Sequence, residues 1–492
     1  MKRAKTLLIA GWMGLLLSVG SLLFGDESPR FHTYLTDSGS GIATRPAPVD
    51  FARMRGELGS LPSLAEATGP FKVDLRSYDL SKLDVRDRLL ELQHADFDSN
   101  TKWPAELPDS FDPDRIMSIG KNPGLGVGQL HAKGITGRGV SVGIIDQALL
   151  VDHIEYAGRV KLYEEIHDWD EAASMHGPAI ASIAVGKTVG VAPEADLYFI
   201  ADSFVSDIPA AGGSGAMPSM DYAWLAKSVD RMLEVNRALP EGRKIRVIAI
   251  ARGWNPSETG YQEITAAVER AKKEGVFVIS SSVGQTHGLL FHGLGRDPMA
   301  NPDEFTSYDD SSWDKYYLDD HSGVPAPILV PMDSRTVASF SGTEDYAFFR
   351  QGGWSWAIPY VAGLYALACQ VNQDVTPELF WAKAVETGDT VEIPAKAAPV
   401  MSAEELDRRV AAGLEEIMKH MKSAAKGADL EQVLGAAYTR QTGVRRDTMT
   451  EADFRVWAAQ MLRTREGPDT RPHTLGLIVN PARLIASLQS PS

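Results

Sequence analysis

The 492-residue chain has one cysteine, Cys369. That excludes a disulfide framework and any zinc or iron–sulfur centre built from several cysteines. Basic residues are outnumbered: Lys and Arg total 49 against 65 Asp and Glu, a formal net charge of −16. So acidic a chain lacks the positive surface that sequence-independent nucleic-acid binding requires. There is no His-Glu-x-x-His arrangement, which removes the zinc-peptidase pattern, and there is no internal repeat or low-complexity tract. Long apolar runs are absent apart from one at the N-terminus. What remains is an ordinary globular balance, 44% hydrophobic and 23% charged, over a length that allows two or three domains.

The one long apolar run is 6–25, TLLIAGWMGLLLSVGSLLFG, preceded by Lys2, Arg3 and Lys5. A basic head before an apolar stretch reads as a secretory signal. Its 20 residues are also about the length that spans a bilayer, and no clean Ala-x-Ala cleavage site follows. Residues 1–25 therefore read as a signal peptide or a membrane anchor. The protein is expected to be exported, either secreted or held at the outer face of the cytoplasmic membrane through residues 6–25. Residues 26–120 are polar and punctuated by Pro and Gly, and read as an N-terminal extension or propeptide. Within them, 73–97 carries helix-like apolar spacing, and the proline-rich 102–113 reads as an extended connection.

From about residue 121 short apolar runs of strand length alternate with helical patterns. The runs are VSVGIID (140–146), DLYFIA (196–201), RVIAIA (246–251) and GVFVISSS (275–282); the helical segments are 177–186, 220–239 and 261–275. Near-continuous apolar strands separated by helices predict an α/β fold, a mostly parallel sheet with helices on both faces. Residues 121–394 are assigned to this core and 395–473 to a helical insert. In the insert, Ser402-x-x-Glu405 is a capping box, and Thr450-x-x-Asp453 opens a second apolar face through Phe454, Trp457 and Met461. Residues 474–492 read as a closing segment of the core: a strand, a turn at Asn480-Pro481 and a helix.

Three residues carry chemistry. Asp146 ends an apolar strand, where open α/β sheets gather their ligands and catalytic groups, although an aspartate there is also an ordinary turn or helix N-cap. His176 opens a helix rich in small residues, yet a lone histidine is more often structural. Ser355 sits at a helix start, where its hydroxyl is exposed and the dipole favours developing negative charge, but serine is also a common N-cap. Read together, the three stand in the order Asp…His…Ser.

The setting of each resembles the subtilisin-like serine peptidases: Val142-Gly143-Ile144-Ile145-Asp146 their aspartate strand, and Met175-His176-Gly177 with Gly190-Val191-Ala192-Pro193 their histidine helix and following turn. Gly353-x-Ser355-x-Ala357-x-Pro359-x-Val361-Ala362-Gly363 is similar to the serine helix, and His153 lies where the family often has a nearby histidine. The resemblance covers about 121–390 and 474–488. It implies a subtilisin-like fold and an exported endopeptidase acting on proteins or peptides, with no cofactor in the reaction. Ser355 would be the nucleophile, His176 the base and Asp146 its orienting carboxylate.

The sequence departs from the family in three places. Where an oxyanion asparagine is expected after the strand 275–282, the chain continues Val283-Gly284-Gln285, so Gln285 is the candidate donor if one residue is inserted. The Ser-Leu-Gly edge that binds substrate is here Ala251-Arg252-Gly253, with Arg252 either favouring an acidic substrate group or pointing into solvent. Trp354 and Trp356 flank Ser355 where smaller residues are usual. These departures motivate an alternative, a catalytically weak or inactive pseudoprotease that binds a peptide or partner through the same cleft. The acidic run 303–320 offers oxygen ligands of the kind calcium takes, and family members often carry structural calcium. It lacks an EF-hand pattern and reads as solvated charge. No catalytic metal is expected, and Cys369, in the apolar helix after Ser355, reads as a packed thiol.

Overall fold

A computed structural model describes residues 41–62, 73–168, 172–203, 220–311, 327–393, 403–425, 429–442, 445–466 and 473–489. The apolar run 6–25, Ser402 of the capping box, and Asp314, Asp319 and Asp320 of the acidic run lie outside them. Among the described residues no helix is long and apolar enough to cross a membrane.

Two short strands, β1 (Val73–Asp74) and β2 (Ala95–Asp98), precede the main sheet. That sheet is made of β3 (Ser141–Asp146), β4 (Val160–His167), β5 (Asp196–Asp202), β6 (Ile245–Ile250) and β7 (Phe277–Ser280). Its order is β4-β5-β3-β6-β7 and every pairing is parallel. Both faces are covered, which is why β3, β5, β6 and β7 read as near-continuous apolar runs; the edge strand β4, which carries Lys161, Glu164 and Glu165, has no such run and is not among the strands the sequence marks. Helices Tyr222–Ala238 and Tyr261–Lys273 pack one face through Leu225, Val229, Met232, Ile264 and Val268 against Ile145, Ile200, Ile248 and Val278. On the remaining side, helix Trp354–Val371 packs on β3, β6 and β7 and against helix His176–Val185, every residue of which is buried. The two helices approach closely at Gly363, where a Cβ would lie 3.2 Å from the Ala184 carbonyl oxygen and 2.6 Å from the Cβ of Val191, in the turn after the histidine helix. This is the α/β architecture expected, with the predicted helices displaced by one or two residues at their ends.

The remaining strands are β8 (Phe291–Arg296), β9 (Tyr308–Asp310), β10 (Ile328–Pro331), β11 (Arg335–Ala338), β12 (Tyr346–Phe349), β13 (Asp389–Ile393) and β14 (His473–Ile478). They form a second sheet, β13-β14-β10-β8-β9, and contribute to a third, β1-β2-β12-β11. After β14, Asn480 caps the helix Pro481–Gln489 by accepting from the Arg483 N–H at 3.0 Å.

The third sheet corrects the helical reading of 73–97. That stretch is β1, turns, a five-residue helix Leu89–Gln93 and β2. Leu75, Leu80 and Val85 are fully buried, but between them Asp79 accepts from the Ser81 N–H and Asp84 from the Arg86 N–H. Such Asx turns break the helix that apolar spacing alone suggests. β2 pairs antiparallel with β12, Phe97 opposite Phe348. Residues 74–121 thus share a compact unit with the main sheet; their boundary with the core is not a domain boundary. Residues 102–112 form no helix or strand of their own; they bend at Ala105 and turn at Asp109–Ser110, where the Phe111 N–H donates to the Pro108 carbonyl at 2.9 Å, before helix Pro113–Lys121, capped by Asp112.

A second, smaller unit is built on residues 392–474. Its helices Ala403–Ala424, Leu430–Thr442 and Glu451–Glu466 enclose Met418, Leu434, Met449, Phe454 and Ala458. The Thr450 hydroxyl accepts from the Asp453 N–H at 3.1 Å, the cap the sequence signals.

Candidate active site

Asp146 is the last residue of β3 and is buried. Its Oδ1 accepts from the Gln147 N–H at 2.8 Å and lies 2.6 Å from Nδ1 of His176. His176 is the first residue of its helix and only 8% exposed. With a carboxylate at Nδ1, the proton of the neutral imidazole belongs on that nitrogen, and Nε2 is left to accept one. The ring is backed by Trp356, with centroids 5.8 Å apart, and Trp356 in turn meets Phe349 edge-on. Trp356 is 3% exposed, so it is a packing residue beneath the histidine and does not narrow a cleft. Trp354 packs on Phe291 and edge-on to His292.

Ser355 is the second residue of helix Trp354–Val371, whose N-cap is Gly353. Its own N–H is among the first four of the helix, which have no intrahelical acceptor. Its hydroxyl donates to the carbonyl of Ala251 at 3.3 Å. The serine therefore faces the predicted substrate edge, and its hydroxyl is bonded there and not to His176.

That edge follows β6. The Arg252 carbonyl accepts from the Ser281 N–H, and the Ser282 hydroxyl is bonded to both the N–H and the carbonyl of Trp254, so the loops after β6 and β7 are zipped together. Gly253 fits closely here: a Cβ would sit 3.0 Å from that of Ser281 and would push the loop after β7 back by a few tenths of an ångström. Arg252 does not extend into solvent: its Nε donates to the Tyr222 hydroxyl at 3.2 Å, and that hydroxyl donates to the Gly253 carbonyl at 3.0 Å. Burial holds the Tyr222 phenol above its ordinary pKa, outweighing the opposing pull of Arg252. Tyr222 has no motif in the sequence; only its place after the capping Asp221 could have marked it.

Gln285 lies in the five-residue helix Val283–His287, exposed, its side chain without a hydrogen-bond partner among the described residues. His153 is fully buried, bonded through Nε2 to the Asp345 carbonyl and stacked on Tyr156, which makes it a core residue. Of the acidic run, Asp303 accepts from Asn122 Nδ2 and the Gly126 N–H, the work of a loop brace. Among the described residues no three or more His, Cys, Asp or Glu are grouped to hold a metal ion. Cys369 is buried, and burial pushes its thiol up to about 12.

The sequence model of the subtilase family matches residues 137–345, taking in Asp146 and His176 and ending before Ser355. Over this segment the chain is similar to the subtilase family. The chain is 38% identical over 87 residues to the subtilisin-like protease PopC of Myxococcus xanthus, covering 15% of this chain and 18% of that protein. It is 23% identical over 310 residues to a subtilisin-like protease of Coccidioides posadasii, covering 60% of this chain and 59% of that one. A solved structure of the prenylagaramide maturation protease PagA aligns with 54% of this chain and 89% of its own, at 16% identity and a TM-score of 0.37. The chain thus spans less than two thirds of the length of either curated relative.

Proposed function

We propose that the chain is an exported serine endopeptidase that hydrolyses peptide bonds through an acyl-enzyme on Ser355. The observation that carries this reading is the 2.6 Å contact between Asp146 and His176 beside a helix start bearing Ser355. Ser355 Oγ attacks the carbonyl carbon and its proton passes to His176 Nε2. The tetrahedral adduct expels the amine, which takes that proton, and water then cleaves the ester by the same route reversed. Asp146 keeps the imidazole in the required tautomer and stabilises its cationic form. The Ser355 N–H is one oxyanion donor; the Gln285 amide, one methylene longer than asparagine, is the candidate for the other. For the serine to act, its hydroxyl must turn from Ala251 towards His176. Catalytic hydrogen bonds often tighten only when substrate binds. A peptide adding as a strand along Ala251-Arg252-Gly253 would displace that hydroxyl by donating its own N–H to the Ala251 carbonyl.

The resting bond from Ser355 to Ala251 also favours a second reading, a pseudoprotease that holds a peptide at this edge without cleaving it. A fluorophosphonate that labels the wild type but not Ser355→Ala supports the peptidase. An unlabelled wild type that still binds peptides, equally well as Ser355→Ala, supports the pseudoprotease instead. Export rests on residues 1–25; N-terminal sequencing of protein recovered from outside the cell would show a start beyond residue 25 for a cleaved signal, and the intact leader for an anchor.

A further inference from the structure

The stretch that delivers Ser355 is anchored from the N-terminal region. β12 ends at Phe349, and only Arg350, Gln351, Gly352 and Gly353 separate it from the serine helix. Two adjacent glycines give this turn little stiffness of its own. Its backbone is held by two buried carboxylates from elsewhere: Asp96 Oδ1 accepts the Arg350 N–H at 2.7 Å, and Asp333 Oδ1 accepts the Gly352 N–H at 2.7 Å. Asp96 lies in β2, alongside β12, and Arg350 Nε donates to the Gln93 carbonyl just ahead of β2 at 3.0 Å. The Asp96–Arg350 bond joins residues 254 apart in sequence, so no local interaction replaces it.

We propose that Asp96 is a positioning residue for Ser355, acting through the Arg350 backbone, and that the region carrying it stays in the working enzyme and is not shed as a propeptide. This rests on the serine-peptidase reading. The groups facing Asp96 are Asp74 of β1, Arg76 from the turn after it, and Arg350. Burial pushes the carboxyl up to about 8, against the opposing pull of Arg76, and its Oδ2 has no hydrogen-bond partner among the described residues. At neutral pH it is a neutral acid that asparagine mimics, since both present an oxygen to the Arg350 N–H. Ionisation leaves a bare negative oxygen beside Asp74, which pulls on Arg76 and Arg350 and disturbs the turn.

The test uses the full chain, with Asp96→Ala and Asp96→Asn measured for kcat, KM and fluorophosphonate labelling across pH, and the labelled species weighed intact. Asp96→Ala is expected to lower kcat and the labelling rate by about tenfold or more with KM within about twofold, because a misplaced nucleophile costs rate more than binding. Asp96→Asn is expected to keep kcat at pH 7 and to remove the fall in rate through about pH 8 that the wild type shows. The labelled wild type is expected to retain residue 96. A labelled species that begins after residue 96, or a labelled Asp96→Ala with wild-type kcat, overturns the inference while leaving the peptidase reading intact. An unlabelled wild type overturns both. Should Asp96→Ala not fold, Asp96→Asn decides: a pH profile identical to wild type overturns the inference, and loss of the alkaline step supports it.

Discussion

Gly177 follows His176 in the first turn of its helix and lies against the turn after Asp146. A methyl group there would meet the Ala148 carbonyl oxygen at 2.8 Å and its carbon at 3.2 Å, with the Gln147 carbonyl oxygen closer still. Ordinary contact begins at 3.4 Å, and every obstacle is backbone, which cannot yield by rotating a side chain. In a packed interior the helix start must retreat by roughly 1 Å. The Asp146–His176 contact, now 2.6 Å, would open beyond hydrogen-bonding reach. A misplacement of that size costs about 10²-fold, or about 2.7 kcal/mol of transition-state stabilisation. The assay compares kcat/KM of Gly177→Ala with wild type on a peptide substrate, together with the labelling rate of Ser355 by a fluorophosphonate; both should fall together. Gly128→Ala is the control, since nothing lies within 4 Å of the Cβ it would add. A folded Gly177→Ala with kcat/KM within about threefold of wild type would show that the helix start and the Asp146 turn are not rigidly opposed, and would refute the reasoning.

Cys369 is 2% exposed, with its thiol pushed up to about 12 by burial, so at pH 8 the native protein should react with a disulfide reagent at least ~10³-fold more slowly than the denatured chain; rapid native modification would contradict the packing. Glu155 is buried and accepts from the Thr188 N–H and hydroxyl, the Val189 N–H and the Tyr346 hydroxyl. Burial alone would raise its pKa, but these bonds win and hold it below the ordinary value, so the stability it supplies is present above about pH 4.5 and is lost as pH falls through the depressed value. Glu155→Gln should cost about 2–4 kcal/mol in urea unfolding at pH 7, with the gap closing in acid; an equal gap at pH 3 and pH 7 would count against it. Asp96 has the opposite sign: its raised value means that wild-type stability falls as pH climbs from about 4 to about 8. Asp96→Asn should therefore gain on wild type in unfolding free energy across that window, by at most about 6 kcal/mol, read by urea unfolding at a series of pH values, and a difference independent of pH would refute the assignment.

Four strands of the main sheet, β3, β5, β6 and β7, were legible because they are near-continuous apolar runs buried on both faces, whereas the edge strand β4, with Lys161, Glu164 and Glu165 in it, carries no such run. The residues of the site were legible for the same reason: Asp146 ends such a strand, and His176 and Ser355 each begin a helix of small or apolar residues. Third-sheet strands such as β1 and β12 have only two to four residues, too short for any periodicity to register, and their partners are remote. The apolar positions of 73–97 suggested a helix because spacing records burial and not the Asx turns that decide the path between buried residues. Sequence alone leaves Arg252 either favouring acidic substrate or pointing outward, because nothing in it connects Arg252 with Tyr222, 30 residues earlier.

The same division explains where the precision of the site resides. Ser355 is placed on a helix by local sequence, but Pro359 has no N–H to offer the Ser355 carbonyl, and glycines precede the helix. The first turn of that helix is therefore weakly specified by its own chain. Its position comes from Asp96 and Asp333, which grip the Arg350 and Gly352 N–H groups, and from the bond between Ser355 and the Ala251 carbonyl at the end of β6. Three candidate residues can thus be picked out of the sequence while the geometry that would make them work together is set by contacts with no local signature. Rate should consequently be more sensitive than fold to substitutions in residues 74–98, part of the region that sequence alone assigns to an N-terminal extension or propeptide.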